Sequence, residues 1–278
     1  MDLVEYNNRL KKFATNTFEE DLLKACLANL ADGSNKLRFN NFAYGIRELS
    51  THVLESLAPD EEVKNCKWYV PAAKAPKQIS RVQRIKYAIH GGIDDNYAAK
   101  ELVDVDDYIS DVLEAIDILN KFTHVNKATF GISESDIEEF SSQVIDAFSN
   151  FLEGIEQCRI EIIHALEEKI DDAFIEHAIS ENIDDVDILS THHIVDQILP
   201  HTIKMKKLDS QFLEIEVLGH IDITQQFGSN SDLKNDIGFE MNSSFPFESL
   251  LYIELNDKFP NSKVTIKKFE VNTDSWYE

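Results

Sequence analysis

The 278-residue chain is predicted to be α+β: an N-terminal helical bundle containing one long helix, followed by a small antiparallel β domain. Apolar residues recur at three- and four-residue steps through most of Leu3 to Ile179, the spacing of one helix face. After about Leu189 the period becomes two, with strand-forming residues alternating with polar ones. Turn-forming residues then cluster at 228–232 and 235–238. These changes place a helical domain over 1–188 and a β-sheet domain over 189–278. With 43% hydrophobic and 10% aromatic residues, the chain can bury cores of this size.

The first helices are expected over Leu3–Phe13 and Phe18–Leu30, with a break at 31–35, where Ala, Asp, Gly, Ser and Asn follow one another. Asn40 or Asn41 is expected to cap a helix running to Leu57, with Phe42, Ile46, Leu49 and Val53 on one face and Pro59 beyond its end. Lys64 to Lys77 reads as an ordered loop. Ser80 then caps a helix through Ile89 that Gly91 and Gly92 terminate. Another helix covers Asp104 to Phe122. Ser133 opens the longest periodic run, uninterrupted by proline to Ile179. A continuous helix there would span roughly 70 Å at 1.5 Å per residue. Such a helix either bridges two domains or packs against its copy in a homodimer. Strands are expected over His201–Leu208, Phe212–Thr224, Leu250–Leu255 and Val264–Val271.

Composition narrows the function. No apolar run reaches the roughly 18–20 residues that cross a bilayer, and Met1–Glu5 lacks the basic-then-apolar order of a signal peptide. Cys26, Cys66 and Cys158 form no Cys-x-x-Cys pair, so neither a disulfide framework nor a zinc ribbon is expected, and a cytoplasmic location fits. The formal charge is −24, which argues against coating duplex DNA, because that affinity comes mostly from phosphate neutralisation. Yet Lys36 to Gly92 is net positive, with Arg38, Arg47, Arg81, Arg84 and Lys86 among its bases. Any nucleic-acid contact is therefore expected to be local.

Candidate chemistry follows that island. Arg precedes His by five to six residues in Arg47/His52, Arg84/His90 and Arg159/His164. The pairing suits metal-independent phosphodiester cleavage, with His moving a proton and Arg stabilising charge on phosphorus. The spacing resembles that of HEPN-type ribonucleases, although Ile85 and Ile160 stand where those enzymes carry a polar residue. Arg47, His52 and His124 are the candidate catalytic residues. Arg81, Arg84, Lys86, His90 and Lys121 are the candidate phosphate contacts. A second set, His192, His193, Asp196, Glu214, Glu216, His220, Asp222, Asp232 and Asp236, carries ligand types for Mg²⁺ or Mn²⁺. The same pattern is the solvent face of any half-buried strand, so no metal site and no cofactor is assigned from it. Phosphate-binding glycine loops, dinucleotide fingerprints and nucleophile elbows do not occur.

The segments Phe42–Leu49, Arg84–Gly92, Leu119–His124 and Gln226–Asp232 resemble the predicted nucleases that accompany prokaryotic PIWI-type proteins. The resemblance touches most of the chain and implies a role in bacterial conflict with phage or plasmids, alongside a defence-system protein partner. It transfers no catalytic set residue by residue. The expectation is a cytoplasmic defence nuclease acting through a local basic pocket. The alternative is a non-catalytic dimeric adaptor whose β domain binds a protein. Acidic mimicry of DNA is a weaker third reading.

Overall fold

The computed structural model describes residues 3–71, 73, 78–180 and 183–277. Lys74, Pro76 and Lys77 of the expected loop lie outside the described residues. The chain forms two compact units, Met1–Glu161 and Ile162–Glu278.

The first unit is helical. Helix α1 spans Leu3–Leu10 and α2 Thr17–Ala31, where Asn16 caps the start by accepting from Glu19 N at 3.0 Å. The Glu19 carboxylate reaches back to Thr15 N at 2.7 Å, so two otherwise orphaned donors are satisfied together. Helix α3 (Arg38–Leu57) starts before the expected Asn40 or Asn41 cap. Asn35 instead accepts from Leu37 N at 2.9 Å, and buried Asn40 donates to Phe122 O at 2.9 Å. The cap expectation fails because an Asn near a helix start can equally be recruited by a neighbouring helix.

That neighbour is α7 (Val105–Thr123), whose Val112, Ile116, Leu119 and Phe122 are buried. Phe39 meets Phe122 edge-on at 4.8 Å between ring centroids. Helix α5 (Arg81–His90) starts with a capping box between Ser80 and Gln83 and stops at Gly91, whose φ of 57° favours glycine. The sequence did not anticipate two short helices flanking α5, α4 (Asp60–Asn65) and α6 (Asp95–Glu101). Periodicity says little over so few residues.

Helix α8 runs without interruption over Glu134–Ser180, 47 residues, and the division between the units falls within it. Ser133 accepts from Asp136 N at 3.2 Å at its start, as expected.

The second unit holds a four-stranded antiparallel sheet in the order β1-β2-β3-β4, with β1 His192–Leu208, β2 Phe212–Phe227, β3 Phe239–Glu254 and β4 Val264–Val271. Short α9 (Asp184–Asp187) precedes it. Leu213, Ile215, Val217, Ile221 and Ile223 of β2 are buried, while Glu214, Glu216, His220 and Asp222 take the opposite face. Phe174 of α8 packs against Phe247 and Phe269 at 5.5 and 6.1 Å between centroids. Strands β1 and β3 are much longer than expected. Their extra residues include few buried apolar positions, the signal that alternation reads. The turn residues at 228–232 end in a helix, α10 (Asn230–Lys234), with its own capping box from Ser229 to Asp232.

Candidate functional site

Helices α3 and α5 border a cleft of about 410 Å³ lined by Thr51, Leu54, Glu55, Asp60, Gln78, Ile79, Arg81 and Arg84. Arg81 and Arg84 face it together because residues three apart share a helix face. On α3, Arg47, Thr51 and Glu55 lie four residues apart along one ridge, and the Thr51 hydroxyl donates to Arg47 O at 3.1 Å. Arg47 itself is one turn from Thr51 and is not among the residues that line the cleft. It pairs with Glu48 at 2.6 Å and lies 5.9 Å from the Tyr44 ring centroid. His52, next to Thr51, is exposed and meets Phe18 edge-on at 5.3 Å.

The cleft is not a bare cationic hollow. Arg84 has a side chain only 12% exposed, and its guanidinium donates to Ala58 O at 2.5 Å and pairs with Asp60 at 2.6 Å and Glu55 at 3.9 Å. Its charge and donors therefore also brace the end of α3 and the start of α4. The sequence reading missed Asp60 and Glu55 as cleft residues, because opposite charges on adjacent helices leave no spacing pattern.

The other face of α5 carries Lys86 and His90, again one turn apart. Lys86 Nζ pairs with Asp95 of α6 at 2.5 Å and lies 5.1 Å from the Trp68 ring centroid. His90 is fully buried, 3.8 Å from the other Asp95 oxygen and 5.7 Å from the Trp68 ring centroid. Trp68 Nε1 donates to Gly91 O at 2.8 Å, which fixes the indole there. Burial pushes the His90 imidazole down to about 4; nearby Lys86 adds to this, and Asp95 opposes it. His90 is therefore neutral at pH 7. Asp95 is the member of this cluster that the sequence reading missed.

Lys121 and His124 stand at the C-terminal end of α7. Lys121 Nζ lies 5.3 Å from the Phe122 ring centroid and 5.6 Å from that of Phe140. Because Phe122 meets Asn40, this end of α7 abuts the start of α3. His52 is then roughly 18 Å farther along α3, at 1.5 Å per residue. The candidate residues are thus not gathered together: Arg81 and Arg84 line the cleft, Arg47 and His52 of α3 lie outside its lining with His52 against Phe18, Lys86 and His90 take the other face of α5, and Lys121 and His124 stand at the end of α7.

In the sheet, His193 Nδ1 meets Asp187 at 3.0 Å, Asp222 accepts from Gln197 at 2.6 Å, and Asp196 accepts from Thr224 at 2.8 Å. Among the described residues, no group of three or more His, Cys, Asp or Glu side chains is arranged to hold a metal ion. Likewise no helix of the described residues is long and apolar enough to cross a membrane.

The fold is that of an α+β protein, with a helix-bordered cleft carrying paired arginines and carboxylates in one unit and an antiparallel sheet in the other. Two family models match it, each described as "Predicted pPIWI-associating nuclease", one over residues 10–148 and one over residues 155–277. The chain belongs to this family of predicted pPIWI-associating nucleases, in agreement with the resemblance read from its segments. The gap between the two matches falls inside α8, as does the division between the compact units. Neither the curated proteins nor the solved structures contain a match to the chain.

Proposed function

We propose that the protein cleaves phosphodiester bonds of nucleic acid at the α3/α5 cleft, as a cytoplasmic component of bacterial defence against phage or plasmids. The observation that carries this reading is a nuclease-family match over both parts of the chain, combined with a cleft that presents Arg81 and Arg84. Arg81 and Arg84 hold the phosphate. For Arg84 the phosphate competes with Asp60 and Glu55, which keep the guanidinium oriented until substrate arrives. Arg47 adds positive charge one turn along α3. His52, which follows Thr51 on α3 and packs against Phe18, moves the proton of the attacking or leaving oxygen. His124 and Lys121 contact the strand farther along the surface. Lys86 and His90 support the far side of α5, with Asp95 between them.

The test is incubation of the purified protein with labelled single-stranded RNA, single-stranded DNA and duplex DNA, with and without Mg²⁺ or Mn²⁺. Cleavage of at least one substrate is expected. Intact substrate under every condition, in the presence of its defence-system partner, removes the enzyme reading.

A second reading, the dimeric adaptor, draws on the exposed Ile175 and Ile179 of α8, apolar side chains for a second copy or a partner to cover. In that reading, substitutions in Gln226–Asp232 abolish binding of a pPIWI partner, while Arg47→Ala and His124→Ala have no effect.

A further inference from the structure

The outward face of the sheet brings two imidazoles together from positions that regular alternation does not pair. His220 lies on the exposed face of β2. Opposite it, β1 pairs Leu199 with His220 and Pro200 with Gly219, and then Thr202 with Leu218, so His201 is the extra residue of a β-bulge. A bulge re-aims a side chain and bends its strand. Here it brings His201 Nε2 to 2.8 Å from His220 Nδ1, with ring centroids 4.9 Å apart. Gly219 is needed beside the pair. A Cβ there would stand 2.2 Å from Leu199 O and 2.6 Å from the Phe247 ring, so any larger residue would push the two strands apart at this point.

Asp222 follows His220 on the same face. Its carboxylate accepts from Gln197 at 2.6 Å and is engaged within the sheet.

We propose that His201 and His220 form a binding site for a late first-row divalent ion, of the Zn²⁺, Ni²⁺ or Cu²⁺ class, with the remaining coordination positions open. Imidazole nitrogens favour these ions, whereas Mg²⁺ and Ca²⁺ take oxygen ligands. At metal–nitrogen distances of about 2.0–2.1 Å, nitrogens 2.8 Å apart subtend roughly 86° at the ion, which suits adjacent positions of a square-planar or octahedral sphere. A tetrahedral ion needs a nitrogen separation of about 3.4 Å, an opening of roughly 0.5 Å that exposed side chains reach by turning about their rotatable bonds. In either geometry each ring turns so that its lone pair points at the ion and not at the other ring. Water or an external ligand completes the sphere, which makes this an open site and not a closed structural one.

The experiment is titration of the full chain with Zn²⁺ and with Ni²⁺ in competition with a chromophoric chelator. It compares the wild type with His201→Ala, His220→Ala, the double variant, and a His192→Ala/His193→Ala control. One ion per chain is expected, with affinity lowered about tenfold or more by each single substitution, the scale on which disturbing a metal's surroundings acts, and unchanged in the control. The absence of saturable binding in the wild type, or equal affinity in the double variant, overturns the proposal. Wild-type NMR provides a readout that does not depend on the variants folding. Substoichiometric Ni²⁺ should broaden the His201 and His220 ring resonances first, and broadening centred elsewhere also overturns it. Neither result bears on phosphodiester cleavage at the α3/α5 cleft, which uses residues of the other unit.

Discussion

His90 is a histidine that the fold keeps uncharged. Its folded value of about 4 lies below the ordinary value of 6.5 because burial disfavours the imidazolium. As pH falls through 6.5 the unfolded chain takes up this proton, while the folded chain does so only near 4. Stability is therefore fully present above about pH 6.5 and is lost progressively down to pH 4. The loss attributable to this group is about 3 kcal/mol. Urea unfolding at a series of pH values checks this, and His90→Gln should flatten that part of the profile. Gly45 makes a second residue-scale prediction. A Cβ there would stand 2.3 Å from Cys26 Sγ, itself buried in the core. Gly45→Ala should cost about 1–3 kcal/mol by overpacking, measured by the same unfolding experiment. Burial also pushes the Cys26 and Cys158 thiols up to about 12, so both should resist alkylation in the native protein.

At the scale of elements, α5 has two working faces. Arg81 is exposed at the cleft, whereas Arg84 satisfies Ala58 O and two carboxylates. Arg81→Ala should leave the melting temperature nearly unchanged and weaken nucleic-acid binding. Arg84→Ala should weaken both, at a stability cost of about 1–3 kcal/mol for the partners it leaves unmatched; thermal melts beside binding assays separate the two. The long apolar periodicity made α3, α7 and α8 legible in the sequence, and Ser80 with Gly91 marked both ends of α5. The alternation of β2 showed its buried face outright. Strand β1 was read only from His201 onward because none of its residues is buried, so packing leaves little pattern on it. The site was less legible. The sequence identified the arginines of the cleft, but their carboxylate partners, and the bulge that aims His201 at His220, arise only when separate elements meet.

Over the whole molecule, a charge of −24 sets a limit on how nucleic acid can bind. The bulk of the chain repels phosphate, so attraction must come from a few cations acting together, and Lys36–Gly92 is where bases exceed acids. Many of those bases are already paired with carboxylates: Arg38 with Glu134, Lys64 with Glu61, Arg84 with Asp60 and Lys86 with Asp95. A phosphate that meets Arg84 must therefore compete with Asp60, and one that meets Arg47 with Glu48. If Arg47, Arg81 and Arg84 account for the contact, the logarithm of affinity for a single strand should fall with log salt at a slope of about −2. A slope several times steeper would mean an extended basic track instead. The central claim is that cleavage occurs at the α3/α5 cleft, and the most direct measurement is kcat/KM on the preferred substrate for the wild type, His52→Ala and Arg81→Ala. The account predicts a loss of about 100-fold or more for His52→Ala, the scale of a lost proton-transfer group, and a rise in KM for Arg81→Ala. Wild-type kinetics in both variants would contradict it.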